Sequence, residues 1–146
     1  MGKTKITKET TSETAEAKDV VKTVSSKISK KKITSGIVFI DATFNNTKVL
    51  FADKLGNALF WSSSGSLGFK GAKKGTSFAA SKVGDIIGSK AKNIGVIDAD
   101  VIIKGVGSGR EPAIRAFMAY GIDINSIKDT TPVPHNGPKA KKPRRV

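Results

Sequence analysis

The chain has no cysteine, and only one histidine, one tryptophan and one tyrosine among 146 residues. Without cysteine there is neither a disulfide framework nor a thiolate zinc site, and the lone His135 speaks against a histidine-rich metal centre. Acidic residues are scarce, 12 against 26 Lys and Arg, for a formal net charge of +14. No apolar run approaches the ~18 residues of a membrane span. Residues 1–32 lack the apolar segment of a secretory signal. A mitochondrial presequence would be Arg-rich and acid-poor, whereas this stretch has no Arg and four acids. The cytosol is the expected setting, with no membrane partner.

The positive charge is concentrated at the two ends. Residues 1–32 carry nine Lys and four acids, residues 33–129 twelve basic and eight acidic residues, and residues 130–146 five basic residues and no acid. The shifts predict a disordered basic N-terminal arm (1–32), an α/β domain (33–129) and an extended basic C-terminal tail (130–146). Ends of this composition bury too little apolar surface to fold alone and typically order on a polyanion. Lys30, Lys31 and Lys32 close the arm, either as a solvated linker or as a nucleic-acid contact. Prolines keep the tail extended. Its His135, Asn136, Lys139, Lys141, Lys142, Arg144 and Arg145 suit a groove between phosphate strands.

Within the domain, Gly36-Ile37-Val38-Phe39-Ile40 is apolar at successive positions, which predicts a central strand covered on both faces. Phe44-Asn45-Asn46-Thr47 reads as a turn. Lys48–Ala52 reads as the returning strand, Asp53–Asn57 as a second turn and Ala58–Ser62 as a third strand with Trp61 in the core. Asn45 and Asn46 either hydrogen-bond RNA sugars or bases or simply make the turn. Ser63–Gly75 is a glycine- and serine-rich loop carrying Lys70, Lys73 and Lys74 without an acid, and it presents both charge and backbone N–H groups to phosphates. Thr76 or Ser77 caps a helix whose apolar face runs Ala79, Val83, Ile86, Ile87, Ala91, Ile94 and ends at Gly95. A strand Asp98–Lys104, a helix packing through Ile114, Phe117 and Met118, and a strand Ile122–Ile127 complete an α/β fold. Its mixed sheet is an antiparallel meander followed by βαβαβ-type crossovers.

Lys104-Gly105-Val106-Gly107-Ser108-Gly109-Arg110-Glu111 stands out. A strand leads into a glycine-rich turn and then a helix start, where Ser108 and Glu111 have capping-box spacing. Lys104, Gly107, Gly109 and Arg110 form a candidate anion site. The motif is neither G-x-x-x-x-G-K-[ST] nor G-x-G-x-x-G, which argues against a nucleotide or other small-molecule substrate. A two-metal nuclease would need its carboxylates close together. Asp41 and Asp53 instead lie at opposite ends of a strand, roughly 20 Å apart at ~3.3 Å per residue. No nucleophile–base pair is present, so no catalysis, cofactor or metal is expected. A cytosolic nucleic-acid chaperone without a fixed RNA site is the alternative binding reading.

An ordered set of motifs resembles the family of ribosomal protein eleven of the small subunit, in its bacterial form. The set comprises Ala42-Thr43-Phe44-Asn45-Asn46-Thr47, Gly56-Asn57-Ala58 with Trp61, Gly68-Phe69-Lys70-Gly71, Phe78-Ala79-Ala80, Lys104 through Glu111 and Ile114-Arg115-Ala116. It continues with Asp129-x-Thr131-Pro132-x-Pro134-His135-Asn136-Gly137 and ends on Arg144-Arg145-Val146. The resemblance implies a ribonuclease-H-like fold without a nuclease site, and a place on the small-subunit platform bridging rRNA helices. It also implies neighbours in small-subunit ribosomal proteins seven and eighteen, and a share in the messenger-exit cleft that holds the Shine-Dalgarno helix. Arg115 joins the RNA-binding candidates on these grounds. The family often has proline where Val106 and Ser108 stand, which predicts a looser glycine turn here. Asn136-Gly137 has the unhindered geometry that favours succinimide formation and isoaspartate.

Overall fold

The computed structural model describes residues 33–144. The expected N-terminal arm, Lys30, Lys31, Lys32 and Arg145 lie outside the described residues. Five strands, β1 (Ser35–Ala42), β2 (Thr47–Asp53), β3 (Ala58–Ser63), β4 (Asp98–Lys104) and β5 (Asp123–Asp129), form one mixed sheet in the order β3-β2-β1-β4-β5. β1, β2 and β3 make the antiparallel meander, and β4 and β5 add in parallel beyond β1. A short 3-10 turn over Gly71–Gly75 leads into α1 (Ser77–Ile94), which connects β3 to β4; α2 (Arg110–Met118) connects β4 to β5. These elements match the expected α/β order.

Local chemistry explains the boundaries. The β2–β3 turn closes on Asp53, whose carboxylate accepts from the Leu55 and Asn57 N–H groups and from the Asn57 amide. Those bonds, the Asn57 side chain first, hold the Asp53 carboxyl below the ordinary carboxylate range. Thr76 caps α1 by accepting from the Ala79 N–H at 3.3 Å, and Gly95, with φ +96°, ends it.

Both helices lie on one face of the sheet, which corrects the expectation that β1 is covered on both sides. The connections β3–α1–β4 and β4–α2–β5 travel in the same direction across parallel strands. A shared right-handed crossover therefore places α1 and α2 on the same side. Beneath them Val38, Ile40, Val49, Phe51, Phe60, Val101 and Ile103 pack against Val83, Ile87, Ala91, Ala113, Ile114 and Phe117. Phe51 stands at the centre, stacked on Phe60 at 5.1 Å and Phe117 at 6.5 Å. Burying each such side chain contributes about 1.5–3 kcal/mol.

Two packing expectations are overturned. Trp61 is 62% exposed, because strand alternation sends Phe60 and Ser62 inward and its indole to the uncovered face. Met118 is 48% exposed, since α2 buries Ala113, Ile114 and Phe117 instead. β5 is an exposed edge strand in which only Ile124 is half-buried. On α1, the helix–helix contact falls on Gly84 and Gly88, where a β-carbon would meet Ala113 and Ala116 or the Tyr120 ring.

Candidate nucleic-acid interface

β1, β3, β4 and β5 are mutually parallel, so their carboxyl ends share one end of the sheet with the start of β2. The loops that leave there are those singled out in the sequence: Thr43–Asn46, Ser64–Gly75, Gly105–Gly109 and the root of the tail. They are knitted together. Asn46 Oδ1 accepts from the Gly65 N–H at 3.3 Å, the Ser64 N–H donates to the Thr47 carbonyl at 2.9 Å, and Ser108 Oγ donates to the Gly75 carbonyl at 2.9 Å. Asn46 is thus a loop joint, while Asn45 is exposed.

The glycine turn is built for close approach, but to the chain itself. Gly105 adopts φ +97° and gives its N–H to Thr131 Oγ1 at 3.2 Å; the Gly107 N–H donates to the Ala42 carbonyl at 2.8 Å. A β-carbon on Gly105 would strike the Ala42 carbonyl, and one on Gly107 the Thr43 carbonyl. Gly107 and Gly109 are buried. The turn is therefore pinned to the first hairpin, and its Gly105 and Gly107 N–H groups are spent on the chain itself rather than offered to an anion. The expected capping box is also absent: α2 starts at Gly109 without a side-chain cap, because Ser108 is engaged with Gly75.

Arg110 turns inward as well. Its guanidinium donates to the Gly105 carbonyl and to Asp129 Oδ2, and it reaches Thr131 Oγ1 at 3.4 Å. Asp129 also accepts from the Thr131 hydroxyl at 2.6 Å and the Thr131 N–H at 2.8 Å. The Thr131 hydroxyl, then Arg110, hold the Asp129 carboxyl well below the usual carboxylate range. This clamp fixes the direction in which the tail leaves the domain.

What remains presented to solvent is cationic. Lys70, Lys73 and Lys104 are exposed and Lys74 is half-buried. Lys73 and Lys74 lie in the last turn before α1, whose first turn contains no acid. That positive helix end adds to their field. Phe69 is half-buried edge-on against Phe78, and Lys82 Nζ lies 5.7 Å from the Phe78 ring centroid. An open cleft of about 520 Å³ separates the starts of α1 and α2, lined in part by Ser77, Phe78, Pro112 and Arg115. Arg115 is exposed and paired with Glu111. His135, Asn136, Lys139, Lys141, Lys142 and Arg144 are exposed along a tail without regular structure, with Asn136 at φ +60°.

Sequence reading gave no role to Phe78, to Ser108 as a tie between loops, or to Thr131 as the hub of the clamp. Only Thr131 had a local signal, its spacing of two from Asp129, which permits an Asx-type turn. Asp98 and Asp100 are engaged by Asn125 Nδ2 and Ser126 Oγ. Among the described residues no group of acids and histidine has a metal-binding arrangement, and no helix is long and apolar enough to cross a membrane. A knitted loop surface rich in lysine and a clamped basic tail match a chain held against a phosphate polymer. Residues 36–145 match the family model described as Ribosomal protein S11, and the chain belongs to that family of structural, non-enzymatic proteins, rRNA-binding components of the small ribosomal subunit in the cytoplasm.

Proposed function

We propose that the chain holds separate segments of small-subunit rRNA in register on the platform, through two cationic surfaces that leave one end of the sheet. The first is the Lys70–Lys74 loop with Lys104 and Arg115. The second is the tail, with His135, Asn136, Lys139, Lys141, Lys142, Arg144 and Arg145. Lys30, Lys31 and Lys32 of the arm (1–32) add a third strand of contact, and Asn45 offers a hydrogen-bonding tip between them. Asn46, Gly107, Gly109 and Arg110 serve the same interface from behind, by fixing the loops and the tail root. The observation that carries the reading is the clamp of Arg110, Asp129 and Thr131, which aims an acid-free tail from the end where the lysine loop emerges.

The finer placement draws on the family's motif set. It supports a ribonuclease-H-like domain (33–129) without the nuclease function and a seat beside small-subunit ribosomal proteins seven and eighteen. It also supports a contribution to the messenger-exit cleft, where the Shine-Dalgarno helix lies. Lys outnumbers Arg by 22 to 4, so phosphate neutralisation by point charge outweighs bidentate recognition.

Binding of the full chain to small-subunit rRNA tests the reading. With about eight phosphate contacts, affinity falls ~10³–10⁵-fold between 50 and 200 mM salt. Replacing Lys70, Lys73 and Lys74 together by alanine lowers the slope of log K against log salt by roughly 2–3. Footprinting shows a few discrete protected helices. A flat salt response overturns the electrostatic basis, and diffuse protection favours a chaperone without a fixed site.

A further inference from the structure

Where three acid-free loops meet at the carboxyl end of the sheet, one aromatic ring is left in water. Phe44, in the β1–β2 turn, is 75% exposed. The backbone beneath it is held by all three loops. Within the turn, the Thr43 N–H and hydroxyl donate to the Asn46 carbonyl at 2.9 and 3.0 Å, and Thr43 Oγ1 accepts from the Asn46 N–H at 3.1 Å. From the second loop, Gly75 presses on the Phe44 carbonyl, where a β-carbon would lie 2.1 Å from the oxygen. From the third, Gly107 presses on the Thr43 carbonyl, where a β-carbon would lie at 2.2 Å. A ring fixed at its root is preorganised, so a ligand that covers it bears little ordering cost. The setting is cationic: Lys73 and Lys74 immediately precede Gly75, and residues 43–46, 64–75 and 105–109 contain no acid.

We infer that Phe44 is a stacking platform for one unpaired base of small-subunit rRNA, in a loop or a bulge. The inference rests on the rRNA reading above and adds a contact of a different physical kind. A base covers the ring while Lys73 and Lys74 reach the flanking phosphates, the combination by which proteins hold single-stranded segments. Asn45, exposed beside the ring, offers an amide donor and acceptor to a base edge. Paired RNA cannot serve, because an A-form helix keeps its base faces stacked inside and presents edges, sugars and phosphates. A protein occupant would have to bring carboxylates to Lys73 and Lys74 as well as cover the ring, whereas rRNA carries its charge with the base. Stacking releases no counterions, so its contribution does not depend on salt as the phosphate contacts do.

Binding of the full chain to small-subunit rRNA alone is measured with two variants. Phe44→Leu keeps apolar bulk and removes the ring. Phe44→Trp in a Trp61→Phe background leaves a single indole to follow by fluorescence. Phe44→Leu lowers affinity about 5–150-fold, the loss of one base–aromatic stack, with the slope of log K against log salt and the thermal midpoint unchanged. Phe44→Trp keeps wild-type affinity, and its emission is quenched when the rRNA binds. Wild-type affinity for Phe44→Leu overturns the proposal, and so does unquenched emission from the Phe44→Trp chain, the result expected if a protein covers the ring instead. A loss matched by a smaller salt slope overturns it too, since that marks phosphate contacts rather than stacking. A flat salt response with the Phe44→Leu loss intact supports the stack while removing the electrostatic account, so the two readings fail independently.

Discussion

The glycine turn allows strain and close approach to be measured apart. Gly105→Ala places an L side chain at φ +97°, which costs about 1–2 kcal/mol. It also drives a β-carbon into the Ala42 carbonyl, the acceptor of the Gly107 N–H at 2.8 Å. The backbone must move, and losing that hydrogen bond costs about 1 kcal/mol more. The sum is about 2–3 kcal/mol, a fall in Tm of roughly 10 °C or more for a domain of this size. Gly56→Ala supplies the control. Gly56 has φ +89° with nothing within 4 Å of the added carbon, so it bears only the conformational term, roughly 5 °C. Thermal unfolding followed by circular dichroism reads both. Equal losses in the two variants would refute the claim that the turn is pressed against the first hairpin.

Other consequences can be checked alongside. Thr47 Oγ1 is buried without a partner among the described residues, so Thr47→Val should raise stability by about 1 kcal/mol; a loss would mean that the hydroxyl bonds a water. The Asp129 carboxyl is held low by Thr131 and Arg110. Its contribution is therefore complete above the unfolded carboxylate pKa of about 3.9 and disappears as pH falls below it. In an NMR titration Asp129 should stay ionised well below the ordinary carboxylate range, and an ordinary midpoint would dissolve the clamp. Asn136 is exposed at φ +60° ahead of Gly137, and peptide mapping after incubation at pH 8 should find isoaspartate there, whereas persistence of Asn alone would exclude it.

Most of the element order was legible because each element has a local cause. Thr76 and Gly95 mark the ends of α1, the apolar stripe from Ala79 to Ala91 marks its buried face, and Val101–Ile103 marks a strand core. Layering was not legible, because it depends on strand order. Gly36–Ile40 is apolar at successive positions, a pattern that fits a strand buried on two faces as well as one covered on a single face. Trp61 failed for the same reason. Phe60 and Trp61 must point to opposite sides, and composition does not say which side the helices take.

The candidate site separates along the same line. Charge is legible without a fold, because lysines in an acid-free loop or a proline-rich tail have few internal partners to find. Lys70, Lys73, Lys139 and Lys142 are accordingly exposed. Glycines and arginines beside an element boundary are not legible in this way, since either the chain or a ligand satisfies them equally well. Gly107, Gly109 and Arg110 looked like a ligand cradle, yet the two glycines press against Thr43 and Thr47 and Arg110 pairs with Asp129. The distinction bears on experiment. Replacing Lys73 removes a point charge and changes the salt slope with the fold intact. Replacing Arg110 frees the tail root and leaves Asp129 without its cation, so its effect on RNA binding should persist at high salt, where screening has already weakened the phosphate contacts. Equal salt sensitivity of Lys73→Ala and Arg110→Ala would return Arg110 to the phosphate surface.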